Sequence, residues 1–310
     1  MTDATIVVRF LHFAAAMAVF GIGAFRLYAF TGPVAAAEAS ARAALDAVLA
    51  RGMTIGAVLA LVTALAMVPC VAAEMAASSA AALDPSTDAA VLFGTAFGHA
   101  WCWHVGFGVA LVVLCVIPRR RWQAGAATLA ALCTLMSLGW VGHAATDYGG
   151  GIGHVINQMA HLTAGGIWLG GLAPLGMMLR RAVRPDGAAY VPLARAALPH
   201  FSQIGYAAVA LLALTGAVNS ILLVGGFDAL AMTPYGRLLA LKISLFLAMV
   251  ALALINRFRL VPRLRDPAAT PSALRALYRS VVGEQALGLA ILAVVSVLGT
   301  WPPAIEAMTM

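Results

Sequence analysis

The chain has 310 residues, of which 63% are hydrophobic and 10% charged, with a mean hydropathy of +0.95. A soluble chain carries about 25% charged residues, so soluble folds, nucleic-acid modules and disordered chains are excluded. The net charge of +7 reports topology before it reports an acidic partner, because basic residues orient membrane proteins.

A membrane-spanning helix needs roughly 20 mostly apolar residues. Eight segments meet this criterion: 6–30, 52–75, 91–117, 123–146, 153–179, 200–224, 235–256 and 280–300. Proline and charge clusters separate them, including Pro118 with Arg119, Arg120 and Arg121, and Pro262, Pro267 and Pro271. The expected fold is all-α, a polytopic membrane bundle of eight transmembrane helices forming one domain over residues 1–310. The first eight residues hold Asp3 and no Lys or Arg. A secretory n-region is therefore absent, and the first helix is expected to be a retained span. No repeat is evident at a period of 20–50 residues. The four cysteines have no CxxC spacing, so they give neither a disulfide framework nor a zinc-finger signal.

Sixteen of the 19 basic residues fall in the connections 1–2, 3–4, 5–6 and 7–8. The other three, Arg9, Arg237 and Lys242, lie within or at the start of spans. Basic loops stay cytoplasmic, which puts both termini on the periplasmic side of an inner membrane. Seven of the 12 acids, among them Glu74 and Asp147, fall on that outer side.

On this topology six of the seven histidines occupy the outer half: His12, His99, His104, His143, His154 and His161. Only His200 is placed on the inner side. Ionisable groups within a bilayer face the bundle interior or a cavity, so this convergence points to a metal, haem or proton site. On the fifth span His154, Asn157, Gln158 and His161 share one face, and Trp168 continues it. On the third span His104 lies roughly 140° around the helix from His99, so at most one of the two is expected to join the fifth-span pair. A deep site from His12, His104 and His161 and an entry site from His99, His143 and His154 follow. Met67, Cys70, Cys102 and Met159 are further candidate ligands, since thioether and thiolate with imidazole suit copper(I). Lys242 requires a partner or a neutral form, with Glu74 and Asp147 as candidate partners, and Arg257 is the candidate partner of Glu284 on the same reasoning.

The segment His161-Leu-Thr-Ala-Gly-Gly-Ile-Trp168-Leu-Gly170-Gly171-Leu172 resembles the signature of the copper resistance protein D (CopD) family. Phe97-Gly98 with Trp101, Gly142-His143-Ala144, Phe201-Ser202, Thr215-Gly216, Tyr235-Gly236-Arg237 with Lys242, Asn256-Arg257 and Glu284 follow in the family's order. The resemblance spans most of the chain. It implies an eight-helix inner-membrane protein that moves copper from periplasm to cytoplasm beside a separate periplasmic CopC-like carrier. His200 departs from the Arg found there in many members.

The expected function is copper binding with transport or relay, not an enzymatic activity. Two alternatives stand beside it. One is electron transfer by a b-type haem, with His104 or His12 opposite His161. The other is an assembly factor that delivers copper without transporting it. No nucleotide-binding Gly-x-x-x-x-Gly-Lys-Ser/Thr motif is present to couple ATP.

Overall fold

The computed structural model describes residues 2–30, 36–117, 122–142, 151–224 and 226–307. The helices run α1 (Thr2–Tyr28), α2 (Ala36–Met75), α3 (Pro85–Gly94), α4 (Ala96–Val116), α5 (Gln123–Ser137), α6 (Gly151–Gly165), α7 (Gly171–Ala182), α8 (Val191–Val224), α9 (Phe227–Met232), α10 (Pro234–Ile255), α11 (Thr270–Leu298) and α12 (Ala304–Ala307). No strand occurs among the described residues. Seven helical stretches are long and apolar enough to cross a membrane, with α6 and α7 counted as one. The chain is a multi-pass membrane protein. Ile55, Leu214, Ile221 and Trp103 are exposed at 69, 68, 73 and 71%, a surface suited to hydrocarbon rather than water.

The remaining apolar segment, α5, has 15 residues and continues as a 3-10 turn over Leu138–Trp140. The segment expected over 91–117 is two helices, because Thr95 is extended and caps α4. The helix expected from residue 52 starts at Ala36, and the one expected from 200 starts at Val191 with Pro199 inside it. The fifth apolar segment is interrupted by a π turn over Gly166–Gly170. Asp84 caps α3; hydrogen bonds from the Thr87 and Ser86 hydroxyls hold its carboxyl below the usual carboxylate range.

Helix α1 is the hub and packs on α2, α5, α7, the π turn and α11. Its closest approach is to that turn. A Cβ at Gly21 would stand 2.0 Å from the Gly170 carbonyl carbon, and one at Gly170 would stand 2.0 Å from the Met17 carbonyl oxygen. Only glycine at both positions lets the two backbones touch, which is how membrane helices gain packing where no hydrophobic drive operates between them. One apolar cluster, including Phe25, Leu49, Leu111, Leu135, Leu172, Met178, Leu193, Met249 and Leu277, joins all the long helices.

Glu284 was expected beside Arg257. It is instead 2% exposed and accepts a hydrogen bond from Asn256 Nδ2 at 2.6 Å. The neutral amide reaches the carboxyl because Asn256, at the start of the π turn that follows α10, is buried, whereas Arg257 is half-exposed. Removing one partner of a buried pair strands the other at about 1–3 kcal/mol. Asn256→Ala is therefore expected to destabilise the bundle by that amount, whereas Arg257→Ala leaves thermal unfolding in detergent nearly unchanged.

Candidate metal centre

His12 lies one third of the way along α1, 1% exposed. Its Nδ1 is 3.1 Å from the Ala60 carbonyl and 3.0 Å from Thr63 Oγ1 on α2. The Thr63 hydroxyl already donates to Leu59 O at 2.7 Å. Both neighbours of Nδ1 are therefore acceptors, so Nδ1 carries the proton and donates. In the neutral ring Nε2 is then a bare lone pair, and it is buried without a partner.

His104 on α4, also 1% exposed, follows the same logic. Its Nδ1 is 2.8 Å from Ser137 Oγ at the end of α5. That hydroxyl donates to Thr134 O at 2.8 Å, so Nδ1 donates to Ser137. Its Nε2 is likewise buried and unpartnered. The two imidazoles are in edge contact, with centroids 4.9 Å apart. Trp101 lines both, stacked on His104 at 4.6 Å and 5.8 Å from His12. Its indole N–H is fixed to Ala64 O at 2.9 Å.

This is the arrangement of metal-binding imidazoles. One nitrogen is anchored by a second group, which orients the ring and leaves the other nitrogen free. Four helices supply it: α1 and α4 give the rings, while α2 and α5 give the anchors. Two orphaned buried acceptors on rings in contact require an explanation in any native fold.

The other predicted residues are dispersed. His161 Nδ1 contacts Thr215 Oγ1 of α8 at 2.8 Å. His154 is buried, with Nε2 3.1 Å from Asn219 Oδ1, and Asn157 and Gln158 bond the same Asn219. These residues tie α6 to α8 through a polar ladder. His99 is exposed and turns to the Phe93 carbonyl at 3.0 Å. His143 and Asp147 lie outside the described residues. Among the described residues, no three His, Cys, Asp or Glu side chains converge on one point.

Met67 is buried in the core and Met159 packs on Gly139. Cys102 is exposed and free, while Cys70 is half-buried beside Thr5. Trp168 meets Phe246 of α10 edge-on at 5.9 Å. Glu74 does not pair with Lys242. It accepts the Thr5 hydroxyl at 2.7 Å and lies within electrostatic reach of Arg9. Lys242 forms no ion pair among the described residues.

Sequence reasoning overlooked the anchors Thr63 and Ser137, and singled out Thr215 only within the Thr215-Gly216 match. A threonine or serine in an apolar run gives no signal of which ring it will meet. Trp101, already named in the family match, precedes His104 by three residues and so shares its face.

Two family models match the chain. Copper resistance protein D-like, N-terminal domain, matches residues 1–154, and Copper resistance protein D matches residues 195–298. The inner membrane protein YebZ of Escherichia coli (strain K12) is 30% identical over 218 residues, covering 67% of this chain and 70% of that protein. Copper resistance protein D of Pseudomonas syringae pv. tomato is 30% identical over 220 residues, covering 69% and 71%. The chain belongs to the copper resistance protein D family. The copper transport protein CutJ of Bacillus subtilis (strain 168) is 30% identical over 221 residues, 68% of this chain but 38% of that protein. No solved structure matches the chain. Within the family frame His12 and His104 both fall in the N-terminal match, and His161 falls between the two matches.

Proposed function

We propose that this protein binds copper between His12 and His104 and moves or relays it within the inner membrane. The observation that carries the reading is the pair of orphaned Nε2 atoms on imidazoles in contact, one anchored from α2 and the other from α5. Imidazole–metal bonds of about 2.0 Å put each ring centroid about 3 Å from a shared ion. Centroids 4.9 Å apart then correspond to a bent pair with room for a third ligand brought by a carrier or by water. The same spacing argues against a haem held by these two rings, since rings in edge contact leave no room for a macrocycle between them. His161 belongs to the Thr215 cluster, which leaves the bis-histidine haem reading without an opposing ligand for His12 or His104.

The positive-inside count supports eight spans, with α5 as the short one, and both termini in the periplasm. In that orientation the copper site lies in the outer half, where a separate periplasmic CopC-like carrier would load it. The family names of the relatives support copper as the cargo. The whole chain then acts as one transmembrane domain.

The test is copper loading of the purified protein. Trp101 stands against both imidazoles, so copper is expected to quench a fraction of the intrinsic fluorescence, and Trp101→Phe is expected to lose that fraction. Quenching that persists in Trp101→Phe would place the metal elsewhere. Uptake into proteoliposomes separates transport from delivery to a partner.

A further inference from the structure

Four features of the first half of the chain recur in the second. Thr95 caps α4 by accepting the Gly98 N–H at 2.9 Å while donating to Val91 O of the short α3 at 2.7 Å. Thr233 caps α10 by accepting the Gly236 N–H at 2.9 Å while donating to Ala229 O of the short α9 at 2.7 Å. A Cβ at Gly98 would stand 2.1 Å from Val91 O, and one at Gly236 would stand 2.2 Å from Ala229 O. Each short helix therefore folds over a glycine at the same place in the following long helix.

The histidine anchors repeat as well. His12 of α1 bonds Thr63 of α2, whose hydroxyl turns back to Leu59 O and Ala60 O. His161 of α6 bonds Thr215 of α8, whose hydroxyl turns back to Leu211 O and Leu212 O. Nine residues after each histidine comes a glycine, Gly21 and Gly170, and these two touch one another. When equivalent residues of two units meet, they lie on the two-fold axis that relates the units.

The register is thus fixed from four places: the first, second and third long helices of each half, and the contact between halves. One unit is α1, α2, α4 and α5. The other is α6 with α7, α8, α10 and α11. Parallel repeats of this kind are a recurrent architecture of membrane transporters. In this register His104, nine residues past Thr95, corresponds to Lys242, nine past Thr233. Trp101 corresponds to the buried Leu239. Phe246, one turn after Lys242, meets Trp168, two turns after His161, edge-on at 5.9 Å, which brings α10 against the stretch that carries His161, as the His104 ring abuts His12.

We propose that the second unit carries a counterpart of the metal site in which the tethered ammonium of Lys242 takes the place of a bound cation. This rests on the His12–His104 reading above. The chain then holds one copper, His161 does not ligate it, and the second site is closed by its own charge. A histidine at position 242 would open it, because that side chain replaces a fixed cation with a second lone-pair donor.

The experiment is copper(I) loading of detergent-purified protein, removal of free metal, and elemental analysis per chain, with monodispersity on gel filtration as the folding control. Wild type is expected to hold one copper and His161→Ala to hold one. Lys242→His is expected to hold two, and Lys242→His with His161→Ala to return to one. A monodisperse Lys242→His that still holds one copper overturns the proposal. So does a monodisperse His161→Ala that loses its copper, which decides the matter even if the Lys242 variant does not fold. Wild-type protein without copper overturns the His12–His104 reading and this one with it, whereas the first two outcomes overturn this one alone.

Discussion

His104→Ala is expected to abolish high-affinity copper binding. The substitution removes one of the two buried Nε2 lone pairs and leaves His12 as a single ligand. It leaves no new orphan at the anchor, because the Ser137 hydroxyl keeps its bond to Thr134 O. The loss of copper is therefore a loss of ligation and not of local hydrogen bonding. Ser137→Ala tests the same site from behind. It keeps both rings but removes the acceptor that holds His104 Nδ1, and such outer partners are typically worth 10–100-fold in metal affinity. Thr63→Ala should cost less, since Ala60 O remains to accept from His12 Nδ1. Competition titration against a copper(I) chelator ranks the three. Wild-type affinity in folded His104→Ala would sink the assignment.

Gly170→Val is expected to be the most destabilising single change outside the site. Its Cβ would lie 2.0 Å from the Met17 carbonyl oxygen and 3.1 Å from Gly21 Cα. Both obstacles are backbone, so no side chain can rotate away. The central crossing of α1 over the π turn has to open. Overpacking of a close-packed interior costs about 1–3 kcal/mol, and more where backbone must shift. Gly205→Ala is the control, because a Cβ there meets nothing within 4 Å. In a helix interior alanine is favoured over glycine by roughly 0.5–1 kcal/mol, so that variant should melt no earlier than wild type. Equal melting of Gly170→Val and Gly205→Ala in detergent would refute the crossing.

Much of the architecture was legible because a bilayer imposes one-dimensional rules. Apolar length marks helices, and the scarce charges mark loops. What went astray lay at helix ends and interruptions. The break at Thr95 depends on a side-chain cap and on a short helix folding back over Gly98, while the π turn at Gly166–Gly170 adds no signal to an apolar run. The split of His99 from His104 was readable from their angular offset, and the structure turns His99 outward and His104 inward. The grouping of His12, His104 and His161 was not readable, since depth along a helix says nothing about which neighbour a face meets.

The repeat illustrates the same boundary. Its members, His12 and His161, Thr63 and Thr215, Gly21 and Gly170, stand far apart in a sequence whose intervening residues are interchangeable apolar ones. They become recognisable only when hydrogen bonds and the glycine contact put them in register.

The sequence by itself determined that this chain lives in a membrane and that it is helical. Those conclusions need only composition and spacing, because the solvent sorts residues by polarity whatever their partners. The tertiary structure alone decided which histidines meet. It joined His12 to His104 and gave His161 to Thr215. Those pairings follow from how helices cross, and the crossings are fixed by contacts between residues remote in sequence.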